Sequence, residues 1–186
     1  LGSSTVICTD KTGTLTKNEM TVKLIWRDLD QYEVTGTGYT NVGKIIEKST
    51  AEETEPDQNP ELETLIEIAT LANEASIEFQ GEEKPYKTFG DPTEVALLIL
   101  AEKAQGIEKI KEKWDIEYLF PFDSNRKRMS IIAKHQKSGE YRIMVKGALD
   151  ILVEHCINYV EDGQIKSLNP EMKEKVIITS ERFSSN

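Results

Sequence analysis

Apolar residues recur at the three- to four-residue spacing of an amphipathic helix in two long stretches of the chain. The first stretch covers residues 61–72 and the second covers residues 92–106. A polar residue that can cap a helix, Asn59 or Asp91, precedes each stretch and is followed directly by a proline, which is a typical helix start. Further helices are predicted over residues 148–156 and 170–180.

Alternating apolar and polar residues predict short strands in the rest of the chain. The strands are expected over residues 6–8, 23–26, 32–36, 117–122, 128–134 and 140–145. The turn residues Ser138 and Gly139 favour a hairpin between the last two, and Asp162-Gly163 predicts a further turn. Residues 41–61 carry several acidic residues and two prolines, and we expect a loop there. Hairpin-paired strands with helices between them predict an α+β fold with a mainly antiparallel sheet flanked by helices.

The most informative polar segment follows the first predicted strand and reads Asp-Lys-Thr-Gly-Thr-Leu-Thr over residues 10–16. A strand would hold the Asp10 carboxylate rigidly. The turn behind it offers backbone N–H groups and threonine hydroxyls to phosphate oxygens, and Lys11 adds a positive charge. This combination is suited to receive a phosphoryl group on Asp10.

The heptapeptide resembles the phosphorylation signature of the P-type (E1–E2) cation-transporting ATPases. The resemblance implies that Asp10 becomes an aspartyl phosphate, that Lys11 and Thr12 act with it in catalysis, and that Asp10 and Thr12 bind Mg²⁺ with ligands from outside this chain. Related phosphotransferases of the haloacid dehalogenase type have an acid at the position of Thr12. Because threonine cannot exchange a proton near neutral pH, the phosphoenzyme is expected to persist, as a pump requires.

Three later segments resemble nucleotide-binding motifs of the same family. Residues 122–130 begin with Phe122 and also contain Arg126. The resemblance implies that the Phe122 ring stacks on adenine and that Arg126 lies near the base. The Lys146-Gly147 pair is expected in the same pocket, and Glu94, in a Gly-Asp-Pro-Thr-Glu helix start, is expected at the adenine edge. Each segment taken singly also has a structural reading: a core phenylalanine, a surface lysine and a helix cap.

Charge and composition narrow the possible partners. The chain has 186 residues, a net charge of −10 and a pI near 4.8, which argues against a nucleic-acid partner but leaves an anionic nucleotide open. It has no run of 18 apolar residues and no signal-peptide pattern. Since a cation pump needs a membrane path, we expect this chain to be the soluble, monomeric, cytoplasmic portion of a membrane protein.

We therefore predict the ATP-binding portion of a cation pump, with calcium as the first choice of ion. Residues 1–18 would be a piece of the α/β phosphorylation domain, and residues 19–186 the nucleotide-binding domain. The partners would be ATP and the remaining phosphorylation, actuator and membrane domains, and the chain alone is expected to bind nucleotide without catalysis.

Two alternatives stay open. The first is a soluble haloacid-dehalogenase-like phosphohydrolase, which would need Thr-Gly-Asp and Gly-Asp-Gly-x-Asn-Asp motifs, and neither string occurs in the chain. The second is a sodium/potassium-type or lipid-translocating P-type ATPase.

Overall fold

Helices and antiparallel strands alternate along the chain, which confirms the predicted α+β class. The structure is a computed structural model that describes residues 19–27, 30–81, 84–161 and 163–184. The helices are α1 (Pro60–Leu71), α2 (Pro92–Ala104), α3 (Ile107–Lys111), α4 (Leu149–His155) and α5 (Pro170–Ser184). The strands are β1 (Leu24–Arg27), β2 (Asp30–Val34), β3 (Ile45–Glu47), β4 (Ser76–Glu78), β5 (Lys87–Phe89), β6 (Trp114–Asp123), β7 (Arg128–His135), β8 (Tyr141–Gly147), β9 (Asn158–Glu161) and β10 (Gln164–Ser167).

Helices α1 and α2 begin as their sequences predict. At α1 the Asn59 side chain accepts a hydrogen bond from the Leu62 N–H at 3.2 Å, and at α2 the Asp91 carboxylate accepts one from the Thr93 N–H at 2.8 Å. Each bond satisfies a backbone donor that the first helical turn leaves without a partner. In both helices proline follows the capping residue, where its missing N–H costs nothing.

The longest strands form one antiparallel sheet in the order β6-β7-β8. The predicted hairpin between β7 and β8 is confirmed, with Ile132 opposite Ile143. Strand β7 places Met129, Ile131 and Ala133 on its inner face, all fully buried. This face packs with the apolar sides of α1 and α2 into the main core, so the helices lie against one side of the sheet.

The remaining strands form smaller antiparallel sheets. Among the described residues, β1, β2 and β3 pair in that order, while β4 pairs with β5 and β9 with β10. The antiparallel pairing was predicted, but it is distributed over several sheets rather than one. The predicted strand at residues 6–8 lies outside the described residues.

The prediction of a loop over residues 41–61 was wrong in part. This segment contains β3 and a 3₁₀ turn at Pro56–Gln58. Ile45 is buried and lies opposite Val34 of β2. Because three residues are too few to show an alternating pattern, the neighbouring strand decides this conformation. The elements α3, β4 and β5 were not predicted either, since segments of three to five residues are too short to show a helical or an alternating pattern.

None of the helices in the described parts of the chain combines the length and the apolar character that a membrane crossing needs.

Two isoleucines on neighbouring strands give a matched test of the core. Ile131 is fully buried, whereas the Ile143 side chain is 72% exposed. We expect Ile131→Ala to lower the free energy of unfolding by about 2–5 kcal/mol because it leaves a cavity. Ile143→Ala should change it by less than about 0.5 kcal/mol, as a surface substitution does. Urea unfolding of both variants measures the difference, and equal losses would contradict the placement of the core.

The cap of α2 predicts a pH dependence of stability. The hydrogen bond from the Thr93 N–H holds the pKa of Asp91 below its ordinary value of 3.8. The stabilisation by the charged cap is therefore present above that value and is lost as the pH falls through the lowered pKa. Asp91→Asn keeps a good capping residue that does not titrate. We expect the stability advantage of the native chain over Asp91→Asn to shrink as the pH falls from about 5 to about 2 in thermal unfolding. A constant difference would contradict the assignment.

Candidate nucleotide site

A pocket of about 670 Å³ lies where α2 begins and where β6 and β8 end. Its lining residues are Glu74, Asp91, Thr93, Glu94, Leu97, Phe122, Lys127, Met129, Lys146, Gly147 and Ala148. Four of the predicted nucleotide-binding residues are among them: Glu94, Phe122, Lys146 and Gly147. The volume is within the range of about 300–1,000 Å³ that is typical of small-molecule sites.

Glu94 and Lys146 form an ion pair across this pocket. Lys146 Nζ lies 2.9 Å from Glu94 Oε1, although the two residues are 52 positions apart in the chain. Their side chains are 18% and 24% exposed, so each is partly shielded from water. The pair joins the first turn of α2 to the end of β8. It also leaves a carboxylate and an ammonium group side by side at the pocket wall.

Phe122 lies at the end of β6 with its side chain 57% exposed. The structural alternative of a core phenylalanine is therefore wrong. The pairing of β6 with β7 is irregular between Phe120 and Asp123, so Phe122 has no direct partner on β7. An aromatic ring that is open to a pocket offers a face on which a planar ligand can stack.

Lys127 lies in the turn after β6 and lines the pocket. The Asp123 carboxylate accepts hydrogen bonds from the N–H groups of Asn125 and Arg126, both at 2.9 Å, and the bond from Arg126 lowers the pKa of Asp123. Lys127 has a φ of 50°, a left-handed conformation that costs a non-glycine residue about 1–2 kcal/mol. Hydrogen bonds to the Asp123 carbonyl at 2.7 Å and from the Ala148 N–H at 3.0 Å hold it there.

Arg126 is not among the lining residues. Its guanidinium donates a hydrogen bond to the Pro121 carbonyl at 2.9 Å. Its neighbour Lys127 lines the pocket instead, and the predicted site residues did not include it. The basic run over residues 126–128 signalled a cation here, but only the turn geometry determines which residue faces the pocket.

Gly147 lets β8 and this turn approach closely. A Cβ atom at this position would lie 2.5 Å from the Lys127 carbonyl oxygen and 2.6 Å from Arg128 Cβ. Both distances are shorter than any normal contact, so a side chain would push the turn away from the strand. Glycine thus keeps Lys127 and Lys146 on one wall of the pocket.

The polar groups of the pocket suit a planar ligand with an anionic tail. Two lysines, Lys127 and Lys146, line the pocket together with the exposed ring of Phe122. The lining also contains the carboxylates of Glu74, Asp91 and Glu94, so an anionic group must be bound by direct contact with an ammonium group. Beside Lys146, the Asp91 and Glu94 carboxylates can accept hydrogen bonds from amino groups.

The predicted catalytic residues Asp10, Lys11 and Thr12 lie outside the described residues, and so does the predicted magnesium site at Asp10 and Thr12. Within the described ranges, no three His, Cys, Asp or Glu residues are grouped so that they could hold a metal ion.

Comparison with known proteins identifies the family. The family model described as P-type ATPase, cytoplasmic domain N, matches residues 61–186. Among curated relatives, the chain is 37% identical over 186 residues to a calcium-transporting ATPase of Listeria monocytogenes, covering 100% of this chain and 18% of that protein.

Further relatives include pumps that are named for different ions. The chain is 35% identical over 175 residues to a calcium-transporting ATPase of Bacillus subtilis, covering 93% of this chain and 19% of that protein. It is 36% identical over 179 residues to the sodium/potassium-transporting ATPase subunit alpha-4 of Homo sapiens, covering 94% of this chain and 16% of that protein. The chain thus spans less than a fifth of the length of these relatives. The family model covers more than half of the chain, which confirms the predicted family: the chain belongs to the P-type cation-transporting ATPases and matches their cytoplasmic domain N.

Proposed function

We propose that this chain is the ATP-binding portion of an ATP-driven calcium pump. The observation that carries the proposal is the convergence of Glu94, Phe122 and Lys146 on one pocket, although the sequence separates them widely. If these residues served only as a core phenylalanine, a surface lysine and part of a helix cap, packing alone would not require them to line the same pocket. A common ligand accounts for all three.

Each lining residue has a role in the proposed complex. The adenine base stacks on the Phe122 ring, and its amino group donates to the Glu94 carboxylate. Lys146 borders the base through its ion pair with Glu94, and Gly147 leaves room for the nearby backbone. Lys127 binds the phosphate chain, because it is the lining lysine that follows Phe122 closely in the chain. Arg126 lies outside the pocket lining. Its guanidinium can bind ATP when it gives up its hydrogen bond to the Pro121 carbonyl.

In the intact pump, Asp10 is the proposed phosphoryl acceptor. One carboxylate oxygen forms a bond to the γ-phosphorus in line with the departing ADP, while the bond between that phosphorus and the β–γ bridging oxygen breaks. Lys11 stabilises the charge on the phosphoryl oxygens. Asp10 and Thr12 both offer oxygen atoms, the ligands that Mg²⁺ prefers, and when bound the ion screens the charge between nucleotide and carboxylate. Thr12 cannot activate water, so the aspartyl phosphate persists.

Calcium is the proposed cargo because the bacterial relatives described above are named calcium-transporting ATPases. A sodium/potassium-type pump is the second candidate, since the human relative has a similar identity of 36%. The family match over residues 61–186 supports a cation pump rather than a lipid-translocating one or a stand-alone phosphohydrolase.

The proposed parent protein lies in a membrane, with this portion on its cytoplasmic side. Its partners are the remaining phosphorylation, actuator and membrane domains. The chain by itself binds nucleotide but does not complete catalysis, because the Thr-Gly-Asp and Gly-Asp-Gly-x-Asn-Asp motifs are absent from its sequence.

Two phenylalanines on β6 test the stacking role. Phe122 lines the pocket and Phe120 does not, although both side chains are exposed. We expect Phe122→Ala to weaken ATP binding about 5- to 150-fold, which corresponds to the loss of about 1–3 kcal/mol of base stacking. Phe120→Ala should leave the Kd within about twofold, a change of less than about 0.5 kcal/mol. Calorimetric titration of the 186-residue chain measures both, and an unchanged Kd for Phe122→Ala would exclude stacking.

Two lysines test the phosphate role. We expect Lys127→Gln to weaken ATP binding about tenfold or more, as the loss of a charge-assisted hydrogen bond does, and to leave adenosine binding unchanged. Lys137→Gln, in the turn after β7, is the matched control and should affect neither ligand. An equal loss for ATP and adenosine in Lys127→Gln would place this lysine at the base instead of the phosphates.

A further inference from the structure

Asn73 links the end of α1 to the first turn of α2. It lies two residues beyond the end of α1 and is half-buried. Its side-chain Nδ2 donates to the Glu94 carbonyl at 3.0 Å and to the Ala69 carbonyl at 3.2 Å, and its Oδ1 accepts from the Ala75 N–H at 2.9 Å. One amide side chain therefore connects two helices beside the candidate nucleotide pocket.

The three partners determine the orientation of this amide. Two of them are carbonyl oxygens that require donors, and the third is an N–H group that requires an acceptor. If the amide were rotated by 180°, its oxygen would face two carbonyls and its NH₂ group would face an N–H. The same argument excludes a carboxylate, which has no hydrogen to donate to the Glu94 carbonyl.

The turn that Asn73 stabilises also contacts the Glu94 carboxylate. By accepting from the Ala75 N–H, Asn73 orients the intervening residue, and the N–H of Glu74 donates to Glu94 Oε2 at 3.3 Å. The other carboxylate oxygen, Oε1, receives the Lys146 ammonium group. Glu94 is thus held at its backbone carbonyl and at both carboxylate oxygens.

We infer that Asn73 is a positioning residue that orients Glu94 and thereby sets the preference of the pocket for a base with an exocyclic amino group. The inference rests on the proposed function, in which Glu94 accepts from the adenine amino group. Asn73 does not itself line the pocket, so it acts through Glu94 rather than by touching the ligand. A carboxylate in a single orientation accepts well from one donor position. A carboxylate free to rotate distinguishes less between ligands with and without that donor.

The test compares ATP with purine riboside triphosphate, which differs from ATP only by lacking the amino group. In the 186-residue chain we expect ATP to bind about tenfold tighter than this analogue, as a hydrogen bond to a charged acceptor predicts. Asn73→Ala should weaken ATP binding about tenfold and analogue binding less than about twofold, so that the preference disappears. Equal weakening of both ligands would overturn the inference, because it would indicate a general loss of structure.

Further variants separate positioning from stability. Thr70→Val, the matched control, removes a buried hydrogen bond to the Ile66 carbonyl within α1 and should keep the preference. Asn73→Asp keeps the acceptor for the Ala75 N–H and loses the donor, so it should lose the preference even if Asn73→Ala fails to fold. In a Glu94→Ala background, Asn73→Ala should have no further effect on ATP. A full additional loss there would contradict action through Glu94.

A measurement without nucleotide distinguishes this inference from the proposed function. We expect the Glu74 amide proton to exchange with solvent several-fold faster in Asn73→Ala than in the native chain or in Thr70→Val, as the loss of its hydrogen bond predicts. If the native chain does not bind ATP, the proposed function fails and the preference for an amino group fails with it, whatever the Glu74 exchange shows. If ATP binds but Glu74 exchange is unchanged, the positioning role alone is overturned.

Discussion

The packing of α1 and α2 against the inner face of β7 is the constraint on which the nucleotide pocket depends. Ile66 of α1, Leu100 of α2 and Ile131 of β7 belong to one buried cluster. Burial of such side chains stabilises the fold by about 1.5–3 kcal/mol each, and close packing leaves little freedom to slide. The register of α2 against the sheet is therefore set, and with it the position of the first turn of α2. The core packing therefore also sets the position of each α2 side chain that lines the pocket.

The pocket itself is held together by polar contacts at the edge of that core. Lys146 on β8 binds Glu94 on α2, and Gly147 allows the turn that carries Lys127 to approach the same strand. These contacts are short and partly shielded from water, where an ion pair is worth more than on an open surface. The arrangement brings two positive charges to one wall of a protein whose net charge is −10. Because the carboxylates of Glu74, Asp91 and Glu94 line the same pocket, an anionic ligand depends on direct contact with a lysine rather than on a positive field.

The long helices could be predicted because their signals are local. Asn59 and Asp91 each bind an N–H two or three residues away, so the sequence around them contains all the information that the helix start needs. The strand β3 could not be predicted in this way. Ile45 lies opposite Val34 of β2 and is buried in the main core, and the loop that joins the two strands reveals no pairing. For the site, the motifs indicated Glu94, Phe122 and Lys146, but they pointed to Arg126, whereas Lys127 is the residue of the basic run that lines the pocket.

By itself, the sequence determined the family, the helix starts and the residue types that a nucleotide site needs, because motifs and caps depend on residues that are close together in the chain. Only the tertiary structure decided which groups meet. Lys146 reaches Glu94 across 52 residues, and Asn73 reaches the Glu94 carbonyl across 21. Such contacts depend on how helices and strands pack, which no local pattern encodes. The left-handed turn at Lys127, held by the Asp123 and Ala148 backbone, likewise selects one cation from a run of three.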